Sequence, residues 1–377
     1  MLKLHSRCNL ACRYCYVYRN VDQSWREQPV TMSREVVDLA AKRIAEHAQR
    51  HRPPYVTIIF HGGEPLLAGA DFIAATATAI RVAAEPFTRV DLRIQTNGVL
   101  LDEALLAVLA EHRIRVGVSL DGGLAANDQH RVFANGHGSF QAVARALRLL
   151  NEERHRPSYG GILCTINVAN DPLGVYRDLI AFQPPRMNFL LPHGNWSAPP
   201  PGRSTMGTGT PYADWLIPIF DEWYRTYPQQ TTVRLFESII DMVLGGATSS
   251  EAVGFGPDGL IVIECDGSIE QNDSLKTTVD GGAATGMHLR DSTFDEVNEL
   301  PIFRAQQAGP AALSTTCQAC PLVELCGVGL YAHRYRADNG FDNPSVYCPD
   351  LMALISHIRG RVLFDLTRSG QPVSSGA

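Results

Sequence analysis

Long apolar runs are absent from this chain. No stretch of 18 or more consecutive apolar residues occurs, so the sequence contains no candidate transmembrane helix. The first residues, MLKLHSRC, lack the apolar core of a secretory signal peptide. An excess of positive charge is also missing, since the net charge is −6, which argues against nucleic acid or an anionic membrane as the main partner. We therefore expect a cytoplasmic protein that binds neither.

Cysteine, in contrast, occurs nine times in the 377 residues. Without export signals, these thiols are more typical of metal ligands in a reducing compartment than of disulfides. Three of them, Cys8, Cys12 and Cys15, lie in the string CNLACRYC. A [4Fe–4S] cluster is usually held by four cysteines, so three would leave one iron open to another ligand. Zinc would need a fourth ligand, for which His5 is near, but zinc spacings usually come as CxxC pairs. The spacing favours the cluster.

The first half of the chain alternates short apolar runs with longer amphipathic segments. Segments such as SREVVDLAAKRIAEHAQRH and DEALLAVLAEH have helical periodicity. A βα repeat of this kind predicts a parallel sheet with right-handed crossovers. Six runs predict buried strands: MLKLH, VTIIFHGG, VDLRIQTNG, IRVGVSLDG, GGILCTINV and RMNFLLPH.

Polar and glycine residues follow several of these predicted strands. The string HGGEP contains Gly62, Gly63, Glu64 and Pro65; glycines let the backbone approach a ligand closely, and a carboxylate can accept from an ammonium group. Later strand ends contain Asn97, Ser119, Asp121 and Leu190, and Arg131 lies in the string NDQHR. Each also has an ordinary structural explanation: a strand-to-helix turn, a loop cap, a surface arginine or core packing.

CNLACRYC, with Tyr14 before its third cysteine, resembles the signature of radical S-adenosylmethionine (SAM) enzymes. The resemblance implies a partial (β/α)6 TIM-type barrel whose open iron chelates SAM. The reduced cluster would cleave SAM to a 5′-deoxyadenosyl radical that takes hydrogen from the substrate. The resemblance assigns the GGEP segment, Gly62 to Pro65, to the SAM amino group, and Ser119 and Asn97 to its ribose and methionine end. By its chemistry, the carboxylate of Asp121 suits the same end, and the planar guanidinium of Arg131 could pair with the SAM carboxylate. Leu190 would pack against the adenine. A reductant such as flavodoxin or ferredoxin is also implied.

The character of the sequence changes after residue 192. We expect a radical SAM barrel over 1–192, a connector with helices over 193–253, a smaller cysteine-bearing domain over 254–366, and a disordered tail over 367–377. The connector contains APPPGRSTMGTGTPY, which is rich in turn-forming residues. Three helical segments are predicted: YADWLIPIFDEWYRTY, VRLFESIIDMVLGG and PDLMALISHIRGRVLFDL.

A second cysteine set lies in the last third of the chain. Its members are Cys317, Cys320, Cys326 and Cys348. Four thiolates complete the ligand set of an auxiliary [4Fe–4S] cluster; a four-cysteine zinc site is the alternative. Cys265 and Cys164 fit neither set, and we expect them to be structural thiols.

The string CxxCxxxxxC resembles the SPASM extension of peptide-modifying radical SAM enzymes. That extension normally holds two auxiliary clusters. Here Leu330 and Asn272 stand where cysteines are usual, so the resemblance implies one auxiliary cluster. Asp273 matches an aspartate that takes a proton in sulfatase-maturating enzymes, although capping a turn is an equal explanation. Tyr335, in GLYAHRYR, is a second candidate proton acceptor.

Several longer segments resemble the FxsB-like radical SAM/SPASM proteins, which modify ribosomal precursor peptides. They are HSRCNLACRYCYVY, DQSW, HGGEPLLAG, TNGVLLDE, VSLDGGLAANDQHR, EQNDSLK, GLYAHRYR and GFDNPSVYC. The resemblance implies a cyclophane cross-link between an aromatic ring and a Cβ. Because little chain precedes Cys8, leader recognition is expected to use the barrel, the connector or a separate protein. Alternatives are a thioether or ether cross-linker, a sulfatase-maturating-type oxidase that forms formylglycine, and a scaffold without activity.

Overall fold

A ten-stranded sheet forms the centre of the computed structural model, which describes residues 1–203, 208–256 and 260–368. Six parallel strands lie side by side in chain order. These strands are β1 (Leu2–His5), β2 (Tyr55–Gly62), β3 (Arg89–Thr96), β4 (Ile114–Ser119), β5 (Tyr159–Thr165) and β6 (Arg186–Leu190). This order confirms the six βα units expected from the sequence. Because the strands are parallel, their carboxyl ends meet at one edge.

Helices follow the strands of this sheet, and polar caps begin several of them. The Ser33 side chain accepts from the Val36 amide at the first helix, and that of Asp102 accepts from the Leu105 amide at the third. Proline at the first helical position of the sixth is a further start signal. These helices are α1 (Arg34–His51), α2 (Ala70–Ala84), α3 (Glu103–Glu111), α4 (Leu124–Asp128), α5 (Phe140–Leu150) and α6 (Pro172–Ile180).

Strands from the second half of the chain extend the sheet at both edges. Strand β7 (Thr232–Val233) pairs with β6, and β8 (Val262–Ile263) pairs parallel to β1. Antiparallel strands β9 (Ser268–Glu270) and β10 (Ala284–His288) complete the second edge. The sheet therefore continues across the predicted boundaries after residues 192 and 253. These short strands carry no strong sequence pattern and were not predicted.

The remaining helices pack beyond the sheet edges. They are α7 (Pro211–Arg225), α8 (Arg234–Val243), α9 (Phe294–Asn298), α10 (Pro301–Gln307), α11 (Thr315–Gln318), α12 (Val323–Cys326) and α13 (Cys348–Arg368). Helices α7 and α8 contact α13, and all three contribute to one core with the strands. Helix α13 continues past the predicted start of the tail at residue 367. Residues 369–377 of that tail and 204–207 of the connector lie outside the described residues. None of the described helices is long and apolar enough to span a membrane.

Candidate active site

The cysteine trio lies in the loop that follows β1, and the HGGEP segment fixes this loop in place. The Gly63 amide donates to the His5 carbonyl at 2.8 Å, and the Glu64 amide donates to the Arg7 carbonyl at 3.0 Å. A Cβ at Gly63 would clash with the Arg7 carbonyl and the Tyr18 hydroxyl. The glycines are therefore needed where β2 meets the cysteine loop, a close approach of backbone to backbone.

Cys8, Cys12 and Cys15 are partly buried and lie close enough for their charges to interact. Burial raises the pKa of the Cys8 thiol to about 12, and the charges of Glu64, Cys12 and Cys15 also raise it. Three neighbouring thiolates in a partly dry site need a compensating positive charge. Iron supplies this charge and prefers thiolate ligands. The donor set therefore fits the predicted cluster.

Glu64 is 1% exposed, and its carboxylate accepts hydrogen bonds from three protein groups. These donors are the Thr96 hydroxyl at 2.6 Å, the Asn97 amide at 2.8 Å and the Leu66 amide at 3.0 Å. The Asn97 side chain in turn donates to the Asn9 Oδ1 at 2.7 Å. Glu64 and Asn97 thus connect the ends of β2 and β3 to the cysteine loop. Their assignment to SAM stays a prediction.

Tyr14, Asp121 and Arg131 form one buried network beside the trio. The Tyr14 hydroxyl donates to Asp121 Oδ2 and accepts from Arg131 Nη1 at 2.9 Å. Asp121 Oδ1 also accepts from the Thr165 amide at 3.0 Å. Arg131 is 7% exposed, its Nε has no hydrogen-bond partner, and its charge acts on Cys12. Arg131 is therefore no surface residue, and its free Nε suits an anionic group near the trio.

Two further predicted SAM contacts lie on β4 and β6. The Ser119 hydroxyl accepts from Gln95 Nε2 at 2.9 Å. Leu190 lines a cavity of about 100 Å³ between the end of β6 and the carboxyl-terminal region. The buried Asp350 lies in the same lining and ion-pairs with Arg203 at 3.2 Å. The structure thus keeps Ser119 and Leu190 at the carboxyl edge of the sheet.

Asp273 belongs to a buried cluster of five ionisable side chains. Lys3 Nζ lies 2.8 Å from Asp273 Oδ1 and 2.6 Å from Glu264 Oε1. Lys276 Nζ lies 2.7 Å from both Glu264 and Glu270. Burial tends to lower the pKa of Lys3, but the charges of Asp273, Glu264 and Glu270 hold it well above its usual value. Asp273 Oδ2 has no hydrogen-bond partner. A fixed carboxylate with a free oxygen can accept a proton.

Aromatic rings connect the trio to the carboxyl-terminal region. The Tyr16 ring contacts His193 at a centroid distance of 4.5 Å, His193 lies 6.2 Å from His333, and His333 lies 4.9 Å from Tyr347. Tyr16 directly follows Cys15, and Tyr347 directly precedes Cys348. The sequence analysis missed His193, although it follows the sixth predicted strand as the other candidates follow theirs.

The four cysteines of the second set lie close enough for their charges to interact. Cys317 belongs to α11, Cys326 ends α12 and Cys348 begins α13, while Cys320 lies between α11 and α12. Burial raises the pKa of the Cys326 thiol to about 12, and the charges of the other three also raise it. Four neighbouring thiols suit either an auxiliary [4Fe–4S] cluster or a zinc ion. The auxiliary cluster therefore stays a prediction.

Tyr335 and the two remaining cysteines lie elsewhere. The Tyr335 ring packs against Phe341 at a centroid distance of 5.3 Å, so the structure does not place it in the ring series above. Cys265 is buried, and its thiol donates to the Lys3 carbonyl at 3.0 Å. Cys164 is buried within β5. Both thiols therefore occupy structural positions.

Known proteins are similar to this chain in sequence and in fold. Residues 2–176 match the family model described as the Radical SAM superfamily. The chain is 27% identical over 358 residues to a cysteine-type anaerobic sulfatase-maturating enzyme of Clostridium perfringens, covering 91% of each chain. It is 27% identical to a serine-type anaerobic sulfatase-maturating enzyme of Klebsiella pneumoniae, covering 88% of this chain and 81% of that one. The solved structure described as native anSMEcpe with bound AdoMet superposes with a TM-score of 0.82 at 22% identity, covering 97% and 98% of the two chains.

A parallel sheet with a thiol trio in the loop after its first strand is typical of a cluster-dependent enzyme. Residues 2–176 match the radical SAM superfamily model, and 97% of the chain shares the fold of the anSMEcpe structure. The predicted fold class is therefore confirmed, and so are a [4Fe–4S] cluster and SAM as cofactors. Which cysteines hold clusters, the presence of one auxiliary cluster and the SPASM assignment stay predictions.

The predicted cyclophane cross-linking is wrong. Relatives that match over about nine-tenths of the chain include sulfatase-maturating enzymes of both the cysteine and the serine type. The segments that suggested FxsB-like proteins include HGGEP and the cysteine loop, which pack on each other at the strand ends. Such segments indicate how the cofactors are held, and enzymes that form different products share this arrangement.

Proposed function

We propose that this chain oxidises a serine or cysteine side chain in a peptide to the aldehyde of formylglycine. The observation that carries the proposal is Asp273, a buried carboxylate held by Lys3 and with one free oxygen. The matched relatives add support, since their names include sulfatase maturation. A further solved structure of similar fold is described as native anSMEcpe with bound AdoMet and Cp18Cys peptide.

The residues divide into two groups by role. Cys8, Cys12 and Cys15 would hold the cluster that binds SAM, and the quartet would hold the auxiliary cluster. When bound, these groups supply a hydrogen-atom acceptor and an electron acceptor. A flavodoxin or ferredoxin would supply the reducing electrons. The predicted leader-binding protein belonged to the cross-linking interpretation and is not part of this proposal.

Side chains of the protein accept the proton that the oxidation releases. Converting a CH₂–OH or CH₂–SH group to C=O or C=S removes one hydrogen atom from Cβ, one electron, and the proton on oxygen or sulfur. Asp273 takes that proton at its free Oδ2, while Lys3 holds Oδ1. A general base must lie within hydrogen-bond reach of the proton it takes, and the contact with Lys3 fixes where this carboxylate lies. With a cysteine target, water then replaces sulfur in the thioaldehyde and releases sulfide.

The test uses anaerobically reconstituted protein, dithionite, SAM and three matched peptides. The peptides differ only in the target position, which is cysteine, serine or alanine. We expect 5′-deoxyadenosine and a hydrazine-reactive peptide with cysteine, with serine or with both, and none with alanine. A variant with Cys8, Cys12 and Cys15 replaced by alanine should make neither product yet keep the iron of the quartet. Deoxyadenosine without any aldehyde, from all three peptides, would contradict the proposal.

A further inference from the structure

His193 and His333 have buried ring nitrogens without an evident structural reason. His333 is 2% exposed, and neither of its ring nitrogens has a hydrogen-bond partner. His193 Nδ1 is also buried without a partner. A buried polar atom without a partner is costly, and phenylalanine would pack against Tyr16 and Tyr347 without that cost. Packing alone therefore does not account for histidine at both positions.

The proposed reaction needs a route by which a proton leaves Asp273, and the two imidazoles offer a route to a neighbouring cavity. The charge of Asp273 acts on His193, and His193 contacts His333 at a centroid distance of 6.2 Å. Both line the cavity of about 100 Å³ at the end of β6. At about 30 Å³ for each water, this cavity has room for roughly three. Asp273 itself is 3% exposed and paired with Lys3, so a proton that it accepts needs a route outward.

We propose that His193 and His333 form a proton relay from Asp273 to this cavity. The inference rests on the proposed function, because only oxidation of the target side chain loads Asp273 with a proton. Each imidazole accepts a proton at one ring nitrogen and releases one from the other, so the relay needs no electron and no further reactant. Asp273 returns to the carboxylate form for the next turnover.

The surroundings keep both imidazoles neutral between proton transfers. The Tyr16 ring faces His193, on which the charge of Asp273 also acts, and the rings of His193 and Tyr347 face His333. Burial lowers the pKa of His193 to about 4 and that of His333 to about 3. The charged groups that line the cavity with them are Arg234, Glu251 and Asp350. A neutral imidazole has one donor and one acceptor nitrogen, as a relay requires.

The test compares single phenylalanine variants, His193→Phe and His333→Phe, with the exposed control His137→Phe. Phenylalanine keeps the ring contacts and removes the proton-carrying nitrogens. We expect both variants to lose aldehyde formation at least tenfold more than they lose deoxyadenosine formation, and the solvent deuterium effect on aldehyde formation to rise. His333→Ala opens space at the ring position, and added imidazole should restore its aldehyde formation, but not that of His333→Phe.

A second readout does not depend on turnover. Nitrogen-15 NMR of histidine-labelled protein should show both imidazoles neutral at pH 6, and Asp273→Asn should move the His193 signal while leaving His137 unchanged. Aldehyde formation at the wild-type rate in both phenylalanine variants, or no response of His193 to Asp273→Asn, would overturn the relay alone. A wild-type protein that makes no aldehyde would overturn the proposed function as well.

Discussion

Lys3 Nζ lies 2.8 Å from Asp273 Oδ1, in a site where both side chains are almost fully buried. Lys3 belongs to β1, which leads directly into the cysteine loop, whereas Asp273 begins the short helix Asp273–Thr277 in the carboxyl-terminal region. This contact joins the two halves of the chain at the carboxyl edge of the sheet. It also fixes the position of the candidate base, Asp273, relative to β1, the strand that positions the cysteine trio.

The first prediction separates proton transfer from SAM cleavage. Asp273→Asn keeps the shape of the side chain but removes its basic oxygen. We expect aldehyde formation to fall on the order of a hundredfold or more, while deoxyadenosine formation falls much less. Quantifying both products in one reaction checks this, with the exposed Asp280→Asn as control. An equal loss of both products would indicate a structural role for Asp273.

The second prediction concerns the stability that Lys3 provides. Lys3→Met leaves Asp273, Glu264 and Glu270 with Lys276 as their remaining cation in the buried cluster. Breaking a buried ion pair by removing one partner typically costs about 3–5 kcal/mol, and we expect a loss of that order in the free energy of unfolding by urea. The control Lys42→Met removes an exposed lysine whose side chain is 65% accessible, and it should change stability by less than about 1 kcal/mol. Similar stabilities for the two variants would refute the role assigned to Lys3.

The third prediction tests the close contact between β2 and the cysteine loop. Gly63→Ala places a Cβ against the Arg7 carbonyl and the Tyr18 hydroxyl, so the loop must move away. We expect the purified variant to lose the iron of the trio while it keeps the iron of the quartet. Iron analysis together with electron paramagnetic resonance distinguishes the two. Gly360→Ala, at a helical position with open space around it, should bind iron as the wild type does.

The fourth prediction follows from the neutral state of His333. Burial lowers its pKa to about 3, while an unfolded histidine has a pKa of about 6.5. Between these values the unfolded chain binds a proton that the folded chain does not, so stability falls as the pH drops from 6.5 toward 3. His333→Phe should therefore lose about 2 kcal/mol less stability than the wild type between pH 7 and pH 5. Urea unfolding at both pH values checks this; parallel losses in the two proteins would show that His333 is protonated in the folded state.

Much of the fold and of the cysteine loop could be predicted from local patterns. Strand runs, helix caps and the spacing of Cys8, Cys12 and Cys15 are properties of contiguous residues. Lys3 and His193 could not be assigned in this way, because their partners Asp273 and His333 are distant in the chain and meet only through the sheet and the carboxyl-terminal region. Lys3 did leave a signal, since a charge within the apolar run MLKLH is unusual for a buried strand.

The product could not be predicted from these patterns. The residues that bind the cofactors act before the step at which related enzymes form different products. The cofactor-binding segments therefore did not distinguish a cross-link from an aldehyde. The departures at Asn272 and Leu330 implied a single auxiliary cluster in the sequence analysis. The matches over nearly the whole chain show that these departures occur within that fold.

The most direct test of the central claim uses a target peptide with both Cβ hydrogens of its serine or cysteine replaced by deuterium. The account predicts that one deuterium appears in 5′-deoxyadenosine and that the peptide becomes a hydrazine-reactive aldehyde retaining the other. Mass spectrometry of both products measures this in a single reaction. Deoxyadenosine without deuterium, or a peptide product with an internal link in place of an aldehyde, would contradict it.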